Sequence, residues 1–419
     1  MNRIFFGWWV LVGLFLIYTA SNGIVIFTLP LISPALIEEF GWNQAQVTRP
    51  ALIFYFATGF MSLISGALLD RLPAKIIMLL GIIGITVALG FHPFITTLVE
   101  LMAIYLVFSA GLAMSGLLPS MVLLTRWFAR YRGIAIGILL LSGTLGGAIF
   151  SLMVREILPA YGWRESIIVL AIVGGAMMIL PVLFLVRNHP RDMGLNPDGA
   201  EFLPEPAKTA PEASPAGGGP ILLDAIKSPI SYLLIFATGT VWFCVVGVGV
   251  HQPIYLNQDL GMDMSMVALV VSVYFWFSIM GYLLFGYLAD HFNKSHIMLL
   301  AIISLALGLI LLRIMEGDER VIVFAYAAIF GMGFSGGFSM VQLTIAEHFS
   351  GNDYGRILGV FVFIDTMAGG LGIFVLGEVR VALDSYIPAF NLMIAMCAIA
   401  AICVVIMNQL SKHRVRVIA

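Results

Sequence analysis

The sequence predicts an all-α membrane protein, with twelve transmembrane helices arranged as two pseudo-symmetric six-helix bundles. Three observations carry this. Of the 419 residues, 61% are apolar and only 11% charged, and the mean hydropathy is +1.03. A water-soluble domain is about 45–50% apolar and about 25% charged, so the surplus must face lipid. Second, the apolar residues fall into runs of the length a helix needs to cross about 30 Å of hydrocarbon. Third, a small charged bracket occurs twice: GALLDRLPAK at 66–75 and GYLADHFNK at 286–294, where Gly66 matches Gly286 and Asp70 matches Asp290 at an offset of 220 residues.

The first apolar run follows a lone Arg3. It is longer than the roughly 7–15 residues of a signal-peptide core and has no A-x-A cleavage site, so it reads as a membrane helix. The twelve spans fall at approximately 5–33, 50–69, 75–94, 99–125, 132–157, 165–187, 229–255, 264–289, 295–314, 320–346, 355–379 and 386–409. Helices or closed barrels alone satisfy the backbone in lipid, and runs this long exclude a barrel. Residues 188–220 are rich in Pro, Gly, Ala and Glu with no apolar period, which predicts a flexible linker. The expected organisation is a bundle over 1–187, a cytoplasmic linker over 188–227 and a second bundle over 228–419. With both termini in the cytoplasm, 15 of the 21 Lys and Arg residues lie on the inner side and 6 on the outer, as the positive-inside rule requires.

The repeat extends further. TRWFARYRGIAIG at 125–137 matches AEHFSGNDYGRILG at 346–359 with one residue inserted, each closing a fourth helix and opening a fifth. Six plus six helices with matching loops are the symmetry of a secondary transporter.

On these motifs the chain resembles the major facilitator superfamily over essentially its whole length. GALLDRLPAK is similar to that family's loop motif, with Pro73 where a glycine is usual. FGWWVLVG at 6–13, EEFGWNQAQV at 38–47, RDMGLNPDG at 191–199 and HQPIYLNQDLGM at 251–262 resemble the monocarboxylate-transporter-like and oxalate/formate-antiporter-like branch. The resemblance implies movement of small organic acids, often with a proton. It also implies that Asp70 faces the start of the eleventh helix near Gly355 and Arg356, and that Asp290 faces the start of the fifth near Arg132 and Gly133. Such contacts would close an inner gate, with Gly66, Arg71, Arg126, Gly286 and Glu347 in the same motifs. The alternative is that these charges only mark cytoplasmic loops.

A charge inside the membrane is a functional hypothesis by default. Asp365 lies mid-way along the predicted eleventh helix with no Lys or Arg a turn away, which suits reversible protonation. The competing reading is a carboxyl bonded to a neighbouring hydroxyl for packing. His251, followed by Gln252 and Pro253, either carries a proton or binds an anion, or is a histidine at the outer interface. Tyr18, Asn22, Ser115, Trp276, Tyr282, Ser339 and Gln342 are cavity candidates, since the family's first, fourth, seventh and tenth helices line its cavity; a Ser or Tyr there also serves as helix-packing glue. Gly143, Gly146 and Gly147 suit close helix contact.

The departures from that branch weaken its substrate. Where carboxylate carriers place an Arg in the eighth helix this chain has Tyr282, it has no Lys in the eleventh, and the first helix has no basic residue beyond Arg3. A neutral metabolite is therefore kept beside an organic acid. A proton-driven efflux antiporter for lipophilic or cationic compounds is also open, on Trp242, Trp276 and the methionines. Cys244, Cys397 and Cys403 have neither metal nor disulfide spacing. No cluster of intramembrane His, Asp, Glu or Cys suggests an enzyme, and no soluble signalling domain suggests a sensor. No cofactor or metal is expected, nor any nucleic-acid partner at a net charge of -2. The expected partners are a small-molecule substrate, protons and the lipid bilayer, for a monomer in a bacterial inner membrane.

Overall fold

The structure, a computed structural model, describes residues 5–42, 44–199, 222–317, 319–349 and 353–418. Among them every regular element is helical. We number the long helices α1 (Phe6–Asn22), α2 (Gln44–Leu69), α3 (Ala74–Phe91), α4 (Leu98–Ser115, continued by Leu117–Trp127), α5 (Arg132–Tyr161), α6 (Trp163–Phe184), α7 (Pro229–Ile254), α8 (Met264–His291), α9 (Lys294–Ile314), α10 (Arg320–Phe349), α11 (Tyr354–Leu383) and α12 (Ile387–Ile418). Eleven are long and apolar enough to span a bilayer; α2 contributes a shorter apolar stretch, Ile53–Leu69. The outward faces carry large apolar side chains such as Phe184 and Phe374, 67% and 62% exposed, as lipid-facing helices require.

Three spans depart from the straight helices the sequence predicts, each for a local reason. Beyond Asn22, α1 widens into a π-helix over Gly23–Thr28 and tightens into a 3-10 turn over Leu29–Ile32, which contains Pro30. α4 breaks at Gly116, whose φ of -87° and ψ of -128° lie outside the helical region. Pro119, three residues on, has no N–H for the Ser115 carbonyl and its ring crowds it. In α7, Pro253 is followed directly by a π-helical turn over Tyr255–Asp259. Gly41 and Gly261, again 220 residues apart, share the left-handed conformation, with φ of 66° and 69°. The repeat seen in the charged loops thus extends to the turns before α2 and α8.

Contacts divide the chain into two units: residues 1–131, 138–205 and 352–363 in the first, and 132–137, 206–351 and 364–419 in the second. Each unit therefore includes the opening turns of a helix whose remainder is counted with the other. In the first, α3 and α4 approach closely enough that a Cβ on Gly81 would stand 2.7 Å from the Gly111 carbonyl oxygen. Gly146 of α5 lies against the Thr19 carbonyl and Gly23 of the first span. In the second, a Cβ on Gly333 of α10 would stand 2.7 Å from the Leu305 backbone nitrogen of α9. Small residues let backbones approach in lipid, where burial of apolar surface does not drive helices together.

The segment after α6 corrects one expectation. Residues 188–199, expected within a flexible linker, are folded onto the first unit. The Asn188 Oδ1 accepts from the Lys75 N–H at 2.9 Å, and the Arg187 carbonyl accepts from the Trp127 indole at 3.0 Å. Two 3-10 turns follow, Pro190–Met193 and Pro197–Gly199. Asp198, at φ 58°, accepts from the Ala129 and Arg130 N–H groups at 2.9 and 2.7 Å. The Pro-Asp-Gly sequence reads as turn chemistry rather than disorder, because Asp tolerates the left-handed region. The rest of the expected linker, 200–221 with Lys208, lies outside the described residues, as does Asn43 of the loop expected on the outer side.

Gly81→Ala should destabilise the first unit by about 1–3 kcal/mol, the cost of overpacking against backbone. Gly90→Ala on the same helix, with nothing within 4 Å of its Cβ position, should be neutral or slightly stabilising. Thermal melts of the two purified variants separate these outcomes.

Candidate functional site

The two loop aspartates occupy the same chemical situation. Asp70, one residue past α2, accepts from the Gly355 and Arg356 N–H groups at 2.8 and 3.0 Å. These are the first free donors of α11, and its dipole favours a negative charge there. The Arg356 guanidinium lies 3.8 Å from the same carboxylate and 3.3 Å from Asp353. Burial pushes the Asp70 carboxyl above its usual range, opposed by the two backbone N–H groups. Asp290, at the end of α8, accepts from Gly133 and Ile134 at the start of α5, at 2.6 and 2.9 Å.

Glycines make both arrangements possible. Gly66 lies against the Gly355 carbonyl, and a Cβ on Gly359 would stand 2.7 Å from the Ser62 carbonyl oxygen. In the second unit Gly137 lies against the Tyr282 carbonyl, and a Cβ on Gly286 would stand 2.7 Å from the Gly133 carbonyl oxygen. Any side chain at these positions would push the helix start away from its carboxylate. The remaining motif charges are more peripheral. Arg71 is exposed and Arg132 half-buried. Arg126, half-buried at the end of α4, lies within electrostatic reach of Asp70 and Asp192, and Glu347 pairs with Lys294 at 3.4 Å.

In the first unit, Tyr18 and Asn22 are both buried at 7% exposure, one turn apart on α1. The Asn22 amide donates to the Tyr18 carbonyl at 3.4 Å and to the Ser21 hydroxyl at 3.3 Å, and the Tyr18 ring lies against Gly143 of α5. Ser115 donates to the Gly111 carbonyl at 2.8 Å, a bond within its own helix at the break in α4.

Most of the buried polar side-chain atoms without a partner among the described residues lie in the second unit. Asp365 is 1% exposed, and neither carboxyl oxygen has a hydrogen-bond partner among the described residues. The Thr238 hydroxyl of α7 lies beside it but points to the Ile235 carbonyl at 3.4 Å. Ser339 and Gln342 of α10 are fully buried; the serine hydroxyl and both amide atoms of Gln342 lack partners. Gln252 is buried with its amide nitrogen unpaired. Tyr282 is buried beside the Phe334 and Phe338 rings.

His251 is fully engaged. Its Nε2 stands 3.0 Å from the Ile373 carbonyl, which can only accept, so Nε2 carries the hydrogen. Its Nδ1, 2.9 Å from the Tyr386 hydroxyl, then accepts in the neutral ring. Trp276 stands apart from this group, 67% exposed on α8. Sequence reasoning missed Thr238, Tyr386 and Asp198. The first two carry no signal beyond a hydroxyl in an apolar run, whereas Asp198 sat in a recognisable turn sequence.

A polytopic helical protein with a twofold internal repeat and buried polar groups in its spans has the architecture of a membrane transporter. The sequence profile described as Major Facilitator Superfamily matches residues 10–372 and 232–416, and the chain belongs to that family. It is 24% identical over 361 residues to the uncharacterized MFS-type transporter YcxA of Bacillus subtilis, covering 84% of this chain and 82% of that one. The phosphoglycerate transporter protein of Salmonella typhimurium is 25% identical, covering 77% and 71%. Among solved structures, the transporter FucP in the outward conformation aligns with a TM-score of 0.70 at 16% identity, over 95% of this chain and 97% of that one. A bacterial homologue of the iron transporter ferroportin aligns with a TM-score of 0.69 at 15% identity, over 98% and 100%. The protein is a transporter and not an enzyme. The comparisons reach the family and not the monocarboxylate-like branch.

Asp70→Asn and Asp290→Asn each replace a charge-assisted acceptor pair with a neutral amide that faces one N–H with its own donor. Each lost bond of this kind is worth about 1.5–3 kcal/mol. Amide hydrogen exchange should accelerate roughly 10–100-fold at 355–356 in the first variant and at 133–134 in the second, each leaving the other site unchanged.

Proposed function

We propose that this transporter moves a small organic solute by alternating access of two six-helix bundles, residues 1–187 and 228–419, and that Asp365 carries the coupling proton. The observation that carries this reading is the isolation of Asp365. It lies mid-way along α11, buried, with neither oxygen in a hydrogen bond to a described residue, and among the described residues it has the Thr238 side chain beside it and no charged partner. An Asp at the centre of a membrane helix costs roughly 2.5–3.5 kcal/mol on insertion scales, and leucine would pack there without that cost. Protonation relieves it, so a cycle that exposes the residue to each side in turn loads and releases a proton. His251 is the secondary candidate, since its Nδ1 is free to take a proton once the Tyr386 hydroxyl turns.

The two aspartate-capped helix starts fit a gating role. A carboxylate on a helix N-terminus contributes about 0.3–1 kcal/mol, and up to about 2 when partly buried. Contacts of that size hold one conformation without trapping it, since only differential energies of a few kcal/mol shift a two-state balance. Tyr18, Asn22, Ser115, Gln252, Tyr282, Ser339 and Gln342 are the substrate-contact candidates. The phosphoglycerate transporter relative favours an anionic cargo, and the absence of a Lys or Arg within the spans around Asp365 weighs against one. The positive-inside distribution supports cytoplasmic termini in an inner membrane.

Two measurements test the reading. In proteoliposomes, Asp365→Asn should abolish accumulation driven by a pH gradient while leaving part of the solute exchange; full pH-driven uptake by this variant would overturn the assignment. Single cysteines in the 41–49 loop should react with an impermeant reagent from outside intact cells, and cysteines in the 200–221 segment should not.

A further inference from the structure

We infer that Asp365, Gln342, Ser339 and Trp242 form one binding site in the second unit, and that it takes an uncharged, hydroxyl-rich solute; the inference rests on the transport reading above and adds the class of cargo. The packing of α7 sets these groups at one level. On its α10 side, a Cβ on Gly337 would stand 2.8 Å from the Val241 side chain, and the Trp242 and Phe338 rings are 4.9 Å apart. Spans 7 and 10 run in opposite directions, so one turn from Trp242 towards Thr238 on α7 is one turn from Phe338 towards Gln342 on α10. On its α11 side, a Cβ on Gly239 would stand 3.6 Å from the Ala368 side chain, and Asp365, one turn before Ala368, lies beside Thr238. Asp365 and Gln342 therefore flank Thr238 from its two neighbouring helices. Ser339 shares the face of Gln342 at i−3, and Trp242 shares the face of Thr238 at i+4.

Their hydrogen-bonding inventory selects the ligand. The unpartnered buried atoms are both Asp365 oxygens, the Gln342 Oε1 and Nε2, the Ser339 Oγ and the Trp242 Nε1. Buried polar atoms are almost always satisfied, so a set left unsatisfied in one region points to a missing partner. An anion has no cationic counterpart here: beyond Lys227, Lys and Arg occur only at 294, 313, 320, 356, 380, 412, 414 and 416, all at helix ends. An ammonium group offers donors alone and would leave the Gln342 and Trp242 N–H groups unanswered. Hydroxyl groups donate and accept together. Adjacent hydroxyls answer the carboxyl and the amide at once, and the Trp242, Phe338 and Tyr282 rings supply an apolar wall for the carbon skeleton.

The test uses the full-length protein in nanodiscs, titrated with a panel of aldopentoses, aldohexoses and alditols, with choline as the cationic probe and succinate as the anionic one. Saturable quenching of tryptophan fluorescence and a rise in melting temperature are expected from at least one neutral member and from neither charged probe. Gln342→Met, which keeps the packing volume and removes the amide, and Ser339→Ala should each weaken that binding about 10–100-fold without changing the melting temperature of the unliganded protein. Saturable binding of choline or succinate with none from the neutral panel overturns the proposal, as does neutral binding that both variants leave intact, or a panel that binds nowhere. A neutral solute that binds in this way but is not driven by a pH gradient leaves the site standing and sinks the proton-coupling reading. Gradient-driven uptake of succinate does the reverse.

Discussion

The arrangement on which the rest depends is a carboxylate that accepts two backbone N–H groups at the start of a helix, made possible by glycines that let that helix come close. It occurs at Asp70 with Gly355 and Arg356, and at Asp290 with Gly133 and Ile134. Neither component works alone. Without the glycines the donors would stand too far away, and without the carboxylate the first turns of α11 and α5 would leave N–H groups unanswered. Because each dock lies within a contact unit, α5 and α11 are shared elements, with their opening turns counted in one unit and their bodies in the other.

The second constraint is the scarcity of charge. With 11% charged residues in 419, the ion pairs among the described residues lie near helix ends. Arg164 and Glu39 pair at 2.7 Å, and Arg380 lies 3.1 Å from Asp259. Hydrogen bonds from Trp163 and Arg164 hold the Glu39 carboxyl below its usual range. Asp365 differs from these in being buried with no charged partner among the described residues, whereas His251 has both ring nitrogens engaged.

The parts legible in the sequence were those written in length and repetition. Span lengths follow from bilayer thickness, and the Gly-x-x-x-Asp bracket, being present twice, marked both loop aspartates, while their partners near residues 355 and 133 came only from the resemblance to the family. The breaks inside spans were harder to see. Pro119 and Gly116 are visible, but a proline near a helix start and one that splits a span look alike until the packing chooses. The strap over 188–199 was misread because a Pro- and Gly-rich composition signals tight turns as readily as disorder. The neighbours of Asp365 and His251 were not legible at all, since Thr238 and Tyr386 lie 127 and 135 residues away in the chain, and no local pattern encodes such pairings.

The docks also impose an order on biogenesis. Asp290 meets donors made 157 residues earlier, so its helix start is already in the membrane when α8 is translated. Asp70 must wait for donors 285 residues downstream. For most of synthesis, then, the first half carries an unmatched acid beside an open glycine surface. That half cannot complete its own contact unit until the start of the eleventh span has been made.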